Sequence, residues 1–353
     1  MSAIPRSSAV VAAASAAQLE PVLEAGGQEL ARLLAHTEAR LAEVIEGYGE
    51  TLAGYAAGTL AAGGKRLRPI LVFVCGGVGG DPGVGGEPLC DTPAGAALVR
   101  AGVAVELLHM ATLVHDDVLD RASLRRGRPT VFSSAGRAAA TATGDLLFSR
   151  AFAELVATND VDAVRALSSA SSALARGELM QRSDAWRAEV SSDRYLERCE
   201  LKTARLFEAA CRLGALLGRM GRSAADALGA FGARVGVAFQ IFDDVLDVAG
   251  PAERTGKHRG TDLLDGTVTL PLILARRRDR DLRDLDLREV VTDPAQAEAV
   301  CDRIALTGAL GEARREALRH VAEAKAALTD LELPAGARRA LDLVADGVVE
   351  RYS

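Results

Sequence analysis

The sequence predicts an all-α fold, a single helical bundle with a central cavity, and three observations carry that expectation. Apolar residues recur at helical spacing along most of the 353-residue chain. Alternating strand patterns closed by hairpin turns are absent. Composition points the same way: 49% hydrophobic, 25% charged and only 4% aromatic, with Ala, Leu, Arg and Glu prominent. Length alone fits two average domains or one large helical enzyme. The breaks between helices are short and polar and no long-period repeat appears, so residues 18–353 read as one domain.

The elements follow in order. Leu19, Val22, Leu23, Leu30, Leu33, Leu34, Leu41, Val44 and Ile45 mark a first helical region, broken at Gly26-Gly27. Gly63-Gly64 ends it, and Pro69 fits the first turn of the next helix, Ile70 to Cys75. The Gly- and Pro-rich stretch Gly76–Pro93 reads as a surface loop. A long buried helix follows over Ala94–Leu119, then a basic turn over Ser123–Pro129 and a helix over Thr143–Ala157. Further helices are expected at 161–182, 193–219, 222–248, 269–278, 294–306, 311–328 and 335–350.

A net charge of -6 with pI near 5.6 argues against general nucleic-acid or anionic-membrane binding. Arg100, Glu106 and His109 interrupt the most hydrophobic region, so no membrane span is expected. Cys75, Cys90, Cys199, Cys211 and Cys301 form no CxxC pair and leave an odd one over; free thiols in a reducing cytoplasm are the simplest account. Met1–Ala17 lacks a convincing apolar core with a cleavage site and reads as a disordered or frayed tail.

The chemistry sits in a repeated pentapeptide. Asp116-Asp117-Val118-Leu119-Asp120 closes one apolar run, and Asp243-Asp244-Val245-Leu246-Asp247 closes another. On a helix, Asp116 and Asp120 stand one above the other, with Asp117 turned about 100° aside. Such carboxylates raise one another's pKa unless a cation lies between them, and oxygen ligands suit Mg²⁺ when phosphate and water complete its shell. A lone acidic triplet is more often a solvated helix end; the second copy tips the balance. Two triads facing across a bundle would form a cage for divalent ions. Lys65 with Arg68, Arg125 with Arg126, and Lys257 are the basic elements placed to hold phosphates.

Taken together, Gly63-Gly64-Lys65-x-x-Arg68-Pro69, Leu113-Val114-His115-Asp116-Asp117-x-x-Asp120, Arg125-Arg126-Gly127, Lys202-Thr203-Ala204 and Phe239-Gln240-x-x-Asp243-Asp244-x-x-Asp247 resemble the trans-type polyprenyl diphosphate synthases. The resemblance runs from about residue 20 to the end of the chain. It implies an antiparallel all-α bundle around a hydrophobic pocket, the isoprenoid synthase fold, usually as a homodimer. By resemblance, Asp116, Asp117, Asp120, Asp243, Asp244 and Asp247 hold Mg²⁺, expected as three ions, against an allylic diphosphate. Arg125, Lys202 and Lys257 would contact that diphosphate, and Lys65, Arg68, His109 and Arg126 would bind isopentenyl diphosphate. His109 lies seven residues before Asp116, two turns along one face; a core histidine is its bland alternative. Thr203, Gln240 and the Lys202 carbonyl are the dipoles expected near a cationic carbon. His115 is a weaker candidate for a supporting role.

Product length turns on small residues. Ala111 and Thr112 lie about one turn before the first aspartate, where bulky aromatics would stop chain growth. They leave the tunnel open, which favours a chain longer than farnesyl, and resemblance to synthases of quinone side chains implies a product of roughly seven to ten isoprene units. Phe148 and Phe152, spaced i, i+4, are candidate floor residues or ordinary core aromatics. The closest alternative is a geranylgeranyl or farnesyl diphosphate synthase. A class I terpene cyclase is disfavoured by the second Asp-Asp-x-x-Asp and by Lys65 with Arg68; a non-catalytic subunit, by retention of both motifs. One departure stands out: many relatives carry Lys where this chain has Thr267, and Arg259 is the candidate substitute.

Overall fold

A computed structural model describes residues 6–46, 50–61, 66–79, 88–125, 127–187, 189–250 and 258–350. The described chain is almost entirely helical. In order come α1 (Arg6–Glu46), α2 (Glu50–Ala61), α3 (Leu67–Cys75), α4 (Pro93–Leu119), α5 (Val131–Val156), α6 (Val161–Asp184) and α7 (Ser192–Cys199). A π-helical turn, Glu200–Ala204, joins α7 to α8 (Arg205–Leu217), and α9 (Arg222–Ala249) follows. The rest comprises α10 (Thr261–Leu264), α11 (Leu270–Arg278), α12 (Arg280–Asp284), α13 (Leu287–Val290), α14 (Pro294–Leu306), α15 (Ala309–Ala327) and α16 (Ala335–Glu350).

Local chemistry explains the boundaries. Gly27 breaks α1 with φ 68°, in the glycine pair where the periodicity predicted a break. The same helix includes residues 6–17, the stretch expected to fray. Thr92 caps α4 by accepting from the Gly95 amide at 3.1 Å, and Pro93 occupies the first turn, where its missing N–H costs nothing. Thr130 caps α5 in the same way through the Ser133 amide at 3.0 Å. That helix starts at Val131, earlier than expected, because it continues past a kink at Gly136.

Three features were not anticipated. The basic turn is closed by a two-residue antiparallel ladder, β1 (Leu124–Arg125) with β2 (Arg128–Pro129). The helix expected over 193–219 is interrupted by the π turn, since hydrophobic periodicity cannot register one extra residue per turn. Short helices α10, α12 and α13 fall below the length that periodicity can detect.

Helix α4 lies at the centre, packed against α1, α3, α5 and α8. Its residues from Ala101 to Leu108 are all buried, which explains an apolar run without an amphipathic face. Burial of side chains such as Val103, Leu107 and Leu108 contributes on the order of 1.5–3 kcal/mol each. Among the described residues, α4 is by length and composition alone long and apolar enough to cross a membrane. Yet 72% of its most apolar window is buried inside this bundle. Polar side chains within the core are paired. Glu154, 1% exposed on α5, accepts from Arg40 of α1 at 2.8 Å and from Arg100 of α4 at 2.9 Å. All five cysteines are free.

Candidate active site

The two acidic motifs end α4 and α9, and the π turn lies where both can be reached. Its approach is made possible by two glycines. A Cβ on Gly177 of α6 would lie 2.6 Å from the Lys202 nitrogen, and one on Gly236 of α9 would lie 2.6 Å from the Ala204 Cα. With the backbone seated between those helices, consecutive side chains serve different motifs. Lys202 donates to Glu178 of α6 at 2.5 Å, and the charges of Asp116, Glu178 and Asp120 surround it. Thr203 Oγ1 donates to Gln240 Oε1 of α9 at 2.7 Å, one turn before Asp244. Adjacent residues of one turn thus reach both motifs.

In the first motif each carboxylate has its own environment. Asp116 is half-buried. Burial pushes its pKa up to about 6, with Glu178 and Asp120 adding to the rise and Lys202 and Arg125 opposing it. Asp117 is 5% exposed and accepts from Arg125 Nε at 2.8 Å. Asp120 ends the helix and accepts from Arg182 Nη2. Arg182 also donates to Glu178 at 2.7 Å, so Glu178 sits between two cations. Burial works against its charge, but Lys202 and Arg182 hold its pKa below the usual range; Asp116, Glu178 and Asp120 hold Lys202 above its own despite burial.

The second motif divides its labour. Asp243 is exposed, whereas Asp244 is 3% exposed and accepts from Tyr195 at 2.6 Å and from Gln240 Nε2 at 2.8 Å. Burial pushes Asp244 up to about 8; Asp262 and Asp243 add to the rise, and the two hydrogen bonds oppose it. Asp247 spreads its two carboxylate oxygens over the Thr261 and Asp262 amides, both at 3.2 Å, at the start of α10. Asp117, Asp120, Asp244 and Asp247 each have a hydrogen-bond partner of their own. Among the described residues, no group of three or more His, Cys, Asp and Glu is assembled for a metal. The donors still fit Mg²⁺: they are all oxygen, and this ion commonly takes only one or two carboxylates while phosphate and water supply the rest.

Of the basic elements, Lys65, Arg126 and Lys257 lie outside the described residues. Arg68 is held over the Phe207 ring, 4.7 Å from its centroid, and Phe207 in turn packs on Phe239, the neighbour of Gln240. Arg66 joins Glu106 of α4 at 2.6 Å, which draws the start of α3 to within one turn of His109. His109 is the one residue between Ala101 and Ala111 that is not fully buried. Arg125 is paired with Asp117. Arg259, the candidate substitute for a lysine at Thr267, donates to the Val248 carbonyl at 2.9 Å and pairs with Asp302 at 2.8 Å. Thr267 itself donates its amide to the Asp262 carbonyl at 2.8 Å, beside the second motif.

The chain-length positions separate. His115 packs on Gly144, with Nε2 3.2 Å from Asp145, and fixes the antiparallel register of α4 and α5. One turn back on α4 and one turn on in α5, Phe148 falls level with Ala111 and Thr112. Ala111 has no exposed surface, while Thr112 is half-buried and donates to the His109 carbonyl at 2.8 Å. Of the two, only Thr112 keeps any exposed surface. Phe148 and Phe152 are half-buried with ring centroids 5.4 Å apart. Glu178, Arg182 and Tyr195 were missed from the sequence. The i, i+4 pair Glu178/Arg182 was visible, but nothing local tied it to Lys202. An open cleft of about 520 Å³ lined by Val190, Ile273, Arg276 and Arg283 includes no acidic-motif residue. The site is placed at the π turn because carboxylates, lysine and hydroxyl converge there.

The polyprenyl synthetase family model matches residues 50–306. The chain is 37% identical over 277 residues to heptaprenyl diphosphate synthase component 2 of Geobacillus stearothermophilus, covering 78% of this chain and 83% of the relative. It is 35% identical over 271 residues to geranylgeranyl diphosphate synthase of Methanosarcina mazei, covering 75% and 79%. Its fold matches polyprenyl synthase from Caulobacter crescentus CB15, solved with calcium and isoprenyl diphosphate, at TM-score 0.80 and 31% identity over 95% of this chain and 98% of that one. Isopentenyl and allylic diphosphates are the substrates of this family, and its members bind divalent metal ions. With an acidic motif closing each of two helices of an all-α isoprenoid synthase fold, the chain belongs to the polyprenyl synthetase family and is a polyprenyl diphosphate synthase, a prenyltransferase.

Proposed function

We propose that this chain, as a homodimer, condenses isopentenyl diphosphate with an allylic diphosphate to build an all-trans chain of roughly seven to ten isoprene units. The observation that carries the length is Thr112, a small, half-buried side chain one turn before Asp116 and level with Phe148. Space left there admits a growing tail, and Phe148 with Phe152 forms its floor. Relatives of comparable identity make chains of different length, so the side chains that border the opening decide between them.

Asp116, Asp117, Asp120 and Asp243 hold three Mg²⁺ ions together with the allylic diphosphate, and Asp244 and Asp247 support that set from behind. Bound Mg²⁺ neutralises the diphosphate and makes it a better leaving group. Lys202, Arg125 and Lys257 grip the same group, Lys202 exchanging part of its interaction with Glu178 for phosphate oxygen. Lys65, Arg68, Arg126 and His109 position isopentenyl diphosphate so that its double bond meets the allylic carbon. The Thr203 hydroxyl oxygen and the Lys202 carbonyl turn their negative ends toward the developing cation. Gln240, whose carbonyl oxygen accepts from Thr203, acts by orienting that hydroxyl. Apolar walls exclude water, and the departing diphosphate takes up the proton lost after condensation.

The test is incubation of purified protein with Mg²⁺, labelled isopentenyl diphosphate and each primer from dimethylallyl to geranylgeranyl diphosphate, followed by chromatography. The expected product has seven or more units. A stop at four units makes it a geranylgeranyl diphosphate synthase, and no elongation with any primer overturns the reading.

A further inference from the structure

We propose that Tyr195 is a positioning residue for the condensation: through Asp244 and Gln240 it fixes the direction in which the Thr203 hydroxyl donates, so that the oxygen faces the cationic carbon with its lone pairs. The inference rests on the role given above to Thr203 and extends it to a residue on another helix.

The hydrogen bonds form one chain across α7, α9 and the π turn. Tyr195 donates its phenol to Asp244 Oδ2 at 2.6 Å, Gln240 Nε2 donates to Asp244 Oδ1 at 2.8 Å, and Thr203 Oγ1 donates to Gln240 Oε1 at 2.7 Å. The directions are not independent. Both Asp244 oxygens accept, one from Tyr195 and one from Gln240, so the nitrogen end of the Gln240 amide faces Asp244. Its carbonyl end is thereby turned to Thr203, which must donate. A hydroxyl has one hydrogen; spent on Gln240, it leaves only lone pairs for the other side of the oxygen. A cation there meets the negative end of the dipole.

Tyr195 holds the start of that chain. Tyr195 and Asp244 are 1% and 3% exposed, so water does not readily stand in for the phenol. The ring is itself fixed: Arg198 lies 5.5 Å from its centroid and donates to the Val268 carbonyl at 2.6 Å. Without the phenol, Asp244 Oδ2 loses its donor, and the carboxyl group rotates to recover one. The Gln240 amide is then released to flip, its nitrogen donates to Thr203, and the threonine proton swings toward the cation. Ground-state contacts to either diphosphate are untouched by this reversal, so the effect belongs to kcat rather than KM.

A double-mutant cycle on the purified full-length protein tests this, with Mg²⁺, isopentenyl diphosphate and the wild type's preferred allylic primer. Tyr195→Phe is expected to lower kcat about tenfold, with both KM values within about twofold of wild type. Thr203→Val should lower kcat at least as much, and Tyr195→Phe combined with Thr203→Val should be no slower than Thr203→Val alone, because the relay then has nothing to orient. Thr203→Ser keeps the hydroxyl, and in that background Tyr195→Phe should again cost about tenfold. Circular dichroism melting accompanies each variant. If Tyr195→Phe is unfolded at the assay temperature, Gln240→Leu cuts the chain without touching the phenol and should show the same non-additivity with Thr203→Val. Losses that multiply in the double variant, a shift in KM alone, or an unchanged Tyr195→Phe enzyme would overturn the proposal. A wild type that elongates no primer would instead bring down the functional reading beneath it.

Discussion

At the scale of single residues, the two ends of one pentapeptide illustrate how identical side chains take different work. Asp243 is exposed, while Asp247 spreads its carboxylate over two amides at the head of α10. Asp243→Asn should therefore lower kcat by a factor of at least about a hundred with little change in melting temperature. Asp247→Ala should lower stability by about 1 kcal/mol, as loss of a helix cap does, and reduce activity much less. Paired melting and steady-state measurements decide this; equal kinetic losses would put both carboxylates in the metal set. Ala111 and Thr112 diverge in the same way. Thr112→Phe should shorten the product, read by chromatography, at little cost in stability. Ala111→Phe has no space to enter and should lower stability by about 1–3 kcal/mol.

At the scale of elements, the π turn is the part on which the site depends. An uninterrupted α-helix from Ser192 to Leu217 would give Lys202 and Thr203 a different facing, since a π turn shifts the register of everything after it. Its seat is set by the bare faces at Gly177 and Gly236. Gly236→Ala would drive a Cβ against Ala204 and should cost about 1–3 kcal/mol in stability. Because the displaced backbone carries Lys202 and Thr203, kcat should fall about tenfold or more in protein that remains folded at the assay temperature. Retained kcat in destabilised protein would show that the turn tolerates displacement.

At the scale of the whole molecule, α15 supports the catalytic helix α9 from behind, and a buried histidine makes that support sensitive to pH. His320 is 3% exposed, with Arg319 and Glu316 on its own helix, Arg234 of α9 3.4 Å from Nδ1, and Glu323 one turn on. Burial, with Arg319 and Arg234, pushes its pKa below 6.5, and the two glutamates only partly offset this. Below pH 6.5 the unfolded chain then binds a proton that the folded chain refuses, so this group withdraws stability as pH falls from 6.5 toward its folded pKa. Melting temperatures of wild type and His320→Gln, measured between pH 7.5 and about pH 5, should converge or cross as pH falls. Parallel curves would remove His320 from the acid response.

Much of this protein was legible in its sequence. The all-α class, most long helices, the break at the glycine pair and both acidic motifs depend on local periodicity and residue type, which are properties of short stretches. Which carboxylate does what was not legible, because Asp244 owes its pKa near 8 to burial in the assembled fold, and the Tyr195 phenol that opposes the rise lies 49 residues away in sequence. Glu178 became part of the site only when α6 brought it to Lys202, and the pairing of Arg259 with Asp302 of α14 likewise joins segments far apart in sequence. The sequence by itself determined the elements and the chemical inventory. Tertiary structure decided the partners, because burial and hydrogen-bond direction arise only when distant segments meet.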